Sequence, residues 1–305
     1  MTWDRVERLI GKENLQRLAG KRVGVVGLGS GGGFVAVSLA MSGVGNFVLI
    51  DEDVLEEANI VRHVADKREV GRAKAEAVAD LILQRNPNAY VEARTGRIEA
   101  HLDVLDSLDV LIVGVDGEQA KYIINQACLE RDLVAIYAGV YERGEGGDVV
   151  AIHPYNGPCY ACWAAELREG LTITNTAGEL DYGMIGPEGT LEAEPALWLH
   201  VVRVAAAQAD FALKFLLQEA NLYEPLPGNT LILANAPLEI IEGEITPPHS
   251  ALWFTVGRDP ACLVCGDQVR AGEAVQGEEL SLDQLMSDNA LTVEDESSPS
   301  ARQDT

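Results

Sequence analysis

Two sets of residues in this chain have types and spacings suited to chemistry. The first opens at Gly27-Leu28-Gly29-Ser30-Gly31-Gly32, a G-x-G-x-x-G run between an apolar strand and a helix. Its glycines, Gly27, Gly29 and Gly32, permit positive φ and let backbone N–H groups approach a phosphate at the positive end of the helix. Asp51 closes the next strand, 22 residues after Gly29, where an acid can accept hydrogen bonds from a ribose. So far NAD and ATP fit equally well. Asn59, Arg62 and Lys74 then cluster after the second strand, where cations can neutralise a departing pyrophosphate. Asp116 ends the strand "LIVGVD" at the carboxyl edge of the same sheet, where a carboxylate can hold Mg2+ against phosphate oxygens. Taken singly, Arg62 and Lys74 read as solvated charges and Asp116 as a helix N-cap. Together they favour ATP, because a dehydrogenase has no particular use for such a cluster.

The second set is two C-x-x-C pairs, "CYAC" (Cys159, Cys162) and "CLVC" (Cys262, Cys265). Each pair sets two thiolates on a tight turn, and two turns complete a tetrahedral Zn2+ site. Four cysteines leave no open coordination position, so a structural zinc is expected. Redox disulfides and packed thiols are the alternatives. Cys128 stands alone in a helical stretch and reads as a small core residue. His63, beside Arg62, is within reach of a phosphate but reads as structural.

The elements needed to position these groups follow from periodicity and punctuation. Apolar residues at Val6, Leu9, Ile10, Leu15 and Leu18 predict an N-terminal helix over 4–19. Strand and helix then alternate: "RVGVVG", a helix from Phe34 to Ser42, "FVLID", a helix in "GRAKAEAVADLILQRNP", "AYVEAR", "DVLIVGVD", a helix from Glu118 to Arg131, and "VAIYAGV". That alternation predicts a parallel sheet covered by helices on both faces. From "YERGEGGDVVAIHP" onward, antiparallel additions are expected. They are followed by a long crossing loop over 164–192, a long helix in "EPALWLHVVRVAAAQADFALKFLLQ" and strand character in "NTLILANAPLEIIEGEI".

Composition narrows the function classes. A net charge of −25 argues against a nucleic-acid partner, which needs a basic face. No apolar run is long enough to span a bilayer, and the charged N-terminus lacks the pattern of a signal peptide, so a cytoplasmic protein with no membrane partner is expected. Residues 271–305 carry nine acids against one Arg and turn Ser-rich from about Met286, which predicts an acidic tail disordered from there.

The ordered set "RVERLI", "GLGSGG", "LIDEDVLEEANIVRH", "VGRAKAE", "VDG" and the two C-x-x-C pairs resembles the ubiquitin-activating-enzyme superfamily in its bacterial ThiF/MoeB/HesA form, over roughly residues 5–266. The resemblance implies a Rossmann-like mixed α/β sheet, its N-terminal half parallel and its C-terminal additions antiparallel. It implies one adenylation domain over 1–270, with a nucleotide-binding half at 20–140 and a carrier-binding half with the zinc module at 141–270. The implied reaction is ATP-dependent adenylation of the C-terminal carboxylate of a small ubiquitin-like or sulfur-carrier protein ending in Gly-Gly. Gly27, Gly29 and Gly32 would form the nucleotide turn, Asp51 would take the ribose, and Asn59, Arg62 and Lys74 would hold the phosphates. Asp116 would bind Mg2+, and Arg8 would enter the neighbouring subunit's site in a homodimer. A carboxylate is already nucleophilic, so this chemistry requires no general base.

Two positions depart from the family pattern. Gly117 and Lys121 stand where Asn and Arg are frequent, and Lys lacks the guanidinium fork. The thioester-forming cysteine of many relatives falls at Thr174, and no Cys occurs between 163 and 261, so no enzyme-linked thioester is expected. Alternatives to this reading are a peptide-adenylating enzyme of natural-product biosynthesis, a tRNA dehydratase, an NAD-dependent oxidoreductase and an inactive scaffold subunit.

Overall fold

The computed structural model describes residues 3–170, 196–220, 222–241 and 243–270. The chain enters through two short helices, α1 (Asp4–Ile10) and α2 (Lys12–Gly20), rather than one. Gly11 separates them with φ +82°, a backbone conformation that strains any residue bearing a Cβ.

The alternating half then follows as β1 (Arg22–Val26), α3 (Ser30–Met41), β2 (Asn46–Asp51), α4 (Lys74–Arg85), β3 (Tyr90–Thr95), β4 (Val110–Val113), α5 (Glu118–Glu130) and β5 (Ala135–Val140). Helix α3 starts at Ser30, so part of the glycine run is already helical. The antiparallel half contains β6 (Gly146–Ile152), α6 (Tyr160–Gly170), α7 (Trp198–Leu216), β7 (Thr230–Ala234), β8 (Leu238–Ile241), β9 (Glu244–Thr246), β10 (Ala251–Phe254) and α8 (Asp267–Arg270). Helix α6 runs into the stretch expected to be loop; Thr174 and the acidic tail lie outside the described residues.

Eight strands form one sheet in the order β10-β7-β6-β5-β4-β1-β2-β3, parallel from β5 to β3 and antiparallel from β5 to β10. This is the mixed α/β sheet that the sequence predicts. Its strands alternate their side chains between two apolar layers, as the pleat requires. Val23, Val25, Phe47, Leu49, Ile112 and Val149 pack beneath α3, α4 and α7, whereas Val26, Ile50, Leu111, Tyr137 and Val150 face α5 and α6. Among the described residues no helix is long and apolar enough to cross a membrane.

Strand order reverses between β1 and β4, which opens a crevice at their carboxyl ends. In sheets of this kind ligands bind at such a switch point. Gly27 and Asp116 follow the two strands that flank it.

Candidate active site and metal centre

The glycine turn is shaped by close backbone approach. A Cβ on Gly27, whose φ is +81°, would lie 2.7 Å from the carbonyl carbon of Gly114, and one on Gly32 would lie 1.9 Å from the Gly27 carbonyl oxygen. Gly29 is different, because a Cβ there would meet nothing within 4 Å. Its space is open toward the crevice, as close approach of a phosphate requires. The three glycines should therefore separate experimentally. Gly32→Ala is expected to destabilise the fold by about 3 kcal/mol or more through backbone overlap. Gly29→Ala is expected to keep the wild-type melting temperature while ATP binding weakens at least about tenfold, that is by about 1.4 kcal/mol. Thermal melts and ATP titrations of the two variants check this.

Leu28, fully buried at the tip of the turn, is held at both its backbone groups. Its N–H donates to Asp51 Oδ2 at 2.5 Å, and its carbonyl accepts from His63 Nε2 at 2.7 Å. His63 Nδ1 accepts the Ala65 N–H at 3.0 Å, which assigns the ring proton to Nε2. Burial holds the pKa of His63 below its ordinary value, so the ring stays neutral in this role. His63 is thus structural, as the sequence reading has it, and its task is specific: it fixes the glycine turn. Asp51 Oδ1 also accepts the Asp53 N–H at 2.8 Å, which leaves each carboxylate oxygen a second lone pair for a hydroxyl.

The cations lie on the segment after β2, Arg62 next to His63 in the chain and Lys74 against Asp53. Lys74 starts α4 with its side chain only 11% exposed and its Nζ 2.7 Å from Asp53 Oδ2. Asn59 lies in the 3-10 turn Glu57–Arg62 and accepts the Glu56 N–H at 2.9 Å in a reciprocal cap. Arg62, half-buried at the end of that turn, makes no hydrogen bond or ion pair among the described residues. Asp116 is exposed just beyond β4 and is likewise unpaired among them. An unpaired carboxylate and an unpaired guanidinium beside an open glycine turn fit a nucleotide and its cation.

Arg8 is not brought to the glycine turn within the chain. Helix α1 packs at the far end of α3, where Arg5, Leu9, Met41, Ser42 and Tyr223 line a shallow apolar groove. The 12-residue α3 separates that end from the glycine turn by about 18 Å. Arg8 is 77% exposed and, among the described residues, pairs only with Asp4, at 3.0 Å. Lys121 lies one turn into α5, with Nζ 2.8 Å from Glu118 and positioned over the Tyr160 ring.

Sequence reading missed Gln208. It is buried in α7 and donates through Nε2 to the carbonyls of Val113 at 3.0 Å and Ile136 at 2.8 Å. These bonds seat α7 over the carboxyl end of β4 and the first residues of β5. A buried glutamine within an apolar helix face is the only sequence signal it leaves.

The four paired cysteines converge elsewhere. Their sulfurs all lie within 4.8 Å of one another, with Cys159–Cys162 at 3.7 Å, Cys159–Cys262 at 3.8 Å and Cys162–Cys265 at 3.4 Å. A tetrahedral site with Zn–S bonds of about 2.3 Å has S–S edges of about 3.8 Å, whereas a disulfide is about 2.05 Å. The donor set and spacing fit a closed metal site. It packs on Leu129, eleven helical rises from Glu118, and so about 16 Å from the rim that carries Asp116. Cys128 is buried in the α5–α6 layer, where burial pushes its thiol up to about 12.

Residues 4–246 match the ThiF family. The chain is 30% identical over 262 residues to the SAMP-activating enzyme E1 of Haloferax volcanii, covering 85% of each chain. It is 33% identical over 205 residues to the adenylyltransferase and sulfurtransferase MOCS3 of Mus musculus, covering 65% of this chain but only 42% of that longer protein. Its fold matches the crystal structure of E. coli MccB with ATP at a TM-score of 0.61 and 24% identity, covering 83% of this chain and 69% of the other. With residues 4–246 matched, most of its length, this protein belongs to the ThiF family.

Proposed function

We propose that the protein is an adenylyltransferase that uses ATP to activate the C-terminal carboxylate of a small ubiquitin-like or sulfur-carrier protein ending in Gly-Gly. The observation that carries this reading is the glycine turn held by Asp51 and His63 at the β1/β4 switch point, with Arg62 next to His63 in the chain and Asp116 just beyond β4, both unpaired among the described residues. Similarity to a SAMP-activating enzyme along most of both chains supports the carrier as substrate.

A carrier carboxylate oxygen attacks the α-phosphorus of ATP, an acyl–phosphate bond forms, and the bond to the β-phosphate oxygen breaks with pyrophosphate leaving. The open backbone at Gly29 cradles the phosphates, and Asp51 orients the ribose. Arg62 and Lys74, with Asn59, neutralise the pyrophosphate as its charge develops. Asp116 would hold Mg2+, which supplies further charge neutralisation at the phosphate oxygens. Exposed Arg8 would reach the site of a second copy in a homodimer. The four-Cys site would hold a structural Zn2+. Residues 1–270 would act as one adenylation domain, with the carrier bound by 141–270. Four cysteines are committed to the metal site and Cys128 is buried, so the acyl-adenylate passes to a nucleophile on another molecule.

The test is pyrophosphate exchange into ATP in the presence of purified small proteins ending in Gly-Gly. Exchange is expected only with a cognate carrier and ATP. Binding of NADH with no binding of ATP would overturn the reading.

A further inference from the structure

Strands β8 and β9 form a ribbon separate from the main sheet, pairing Leu238 with Thr246, Glu239 with Ile245 and Ile241 with Glu244. Its inner side is accounted for: Leu238 and Ile240 pack against Ile232, Ala234, Tyr141 and Phe254. The outer side is not, among the described residues. Ile245 is 66% and Ile241 45% exposed, and each stands across the ribbon from an exposed glutamate. Lone surface isoleucines are ordinary, but two on facing strands form a patch.

The base of the ribbon is rigid. The Asn235 and Ala236 N–H groups donate to the Glu145 carbonyl at 2.7 and 2.9 Å, and Asn235 Nδ2 donates to the Gly144 carbonyl at 2.9 Å. Arg203 of α7 donates to the Ala234 carbonyl at 2.9 Å and to Asn235 Oδ1 at 3.0 Å. These bonds lock the ribbon onto the turn between β5 and β6, at the same sheet edge as Asp116. Two strand spacings, about 10 Å, separate the β6 end from the β4 end. At about 3.3 Å per extended residue, at least three residues are needed to span that gap.

We infer that the outer face of the β8–β9 ribbon docks the folded body of the carrier, through an apolar patch on the carrier flanked by lysine or arginine. The carrier's C-terminal segment then runs from the ribbon to the Asp116 rim. A second copy of this chain fits the face poorly, because it would set acidic ribbon against acidic ribbon on a protein of net charge −25. A basic partner is attracted by the same glutamates. This inference rests on the reading that the substrate is a carrier protein.

Ile245→Lys and, separately, Ile241→Lys are the test, with the small Gly-Gly protein that best stimulates exchange as probe. Both side chains are exposed, so both variants fold. The KM for that protein is expected to rise at least tenfold, with the KM for ATP and the rate at saturating carrier within twofold of the parent. Glu244→Lys should raise the same KM about three- to tenfold and flatten its dependence on salt. A synthetic hexapeptide ending in Gly-Gly, which lacks the folded body, should be activated equally by parent and variants. A carrier KM unchanged within twofold in both isoleucine variants overturns the docking face alone. If no small protein stimulates exchange by the parent chain, the functional reading falls and this inference falls with it.

Discussion

Asp116→Ala is expected to lower pyrophosphate exchange by about 100- to 1000-fold, the range lost when a single group that stabilises transition-state charge is removed. The structure makes this variant clean. Asp116 is exposed beyond the end of β4 and holds no partner among the described residues, so nothing in the fold depends on it. The melting temperature should stay within about 1 °C of the parent, because a surface change of this kind costs about 0.5 kcal/mol or less. ATP binding should weaken far less than turnover, since the glycine turn and Asp51 remain in place. Raising Mg2+ should recover part of the rate if the carboxylate serves to hold the ion. Exchange that survives the substitution unchanged would remove Mg2+ from this residue.

The neighbouring acid would give a confounded answer. Asp51 holds the Leu28 and Asp53 N–H groups as well as facing the crevice, so its removal loosens the turn itself. Any loss of activity in Asp51→Ala would therefore mix ribose binding with damage to the nucleotide turn. Arg62→Ala shares the advantage of Asp116→Ala, because Arg62 too is unpaired among the described residues. Unpaired groups at a rim are the better probes of chemistry; paired ones report on the fold as well.

The difference between Asp51 and Asp116 also shows what the sequence could and could not disclose. Motif spacing is local, and the glycine run, the acid 22 residues beyond Gly29 and the two C-x-x-C pairs are local patterns. Alternating strands and helices through residue 140 were legible for the same reason. What escaped reading depends on long-range contact. His63 acts on a carbonyl 35 residues away, and Gln208 on carbonyls 95 and 72 residues away, so no window of sequence displays their partners. Gly114 escaped because its need for a hydrogen at Cα comes from the approach of Gly27 and Gly32. Strand β10, "ALWF", has no apolar–polar alternation to announce it; its pairing with β7 makes it a strand. The break at Gly11 was hidden because the apolar spacing continues across it. Arg8 illustrates the opposite case: its motif is visible in sequence, and the structure places it at the far end of α3 from the crevice.

Removing the metal from the four-Cys site is expected to cost stability far more than chemistry. One zinc per chain should be found by elemental analysis, and Cys162→Ser should abolish it. Sulfurs packed 3.4 to 3.8 Å apart have no reason to stay together as thiolates without a cation between them. Zinc binding in small finger peptides contributes about 10–16 kcal/mol, but that full amount should not appear here. Both large apolar layers are built without the paired cysteines, so the loss is limited to the cost of releasing the segment around 257–270. A local loss of about 2–3 kcal/mol would lower the melting temperature by roughly 5–10 °C, at about 2–4 °C per kcal/mol for a domain of this size. Limited proteolysis should cut first near Leu263, which is highly exposed between the two cysteines of its pair. Pyrophosphate exchange by the protein that remains folded should fall less than about tenfold, because the centre lies about 16 Å from the Asp116 rim. The two readouts separate the roles: a catalytic ion would take the rate with it and leave the melt nearly untouched. A preparation with all four cysteines reduced, no bound zinc and an unaltered melt would show that the sulfurs merely pack.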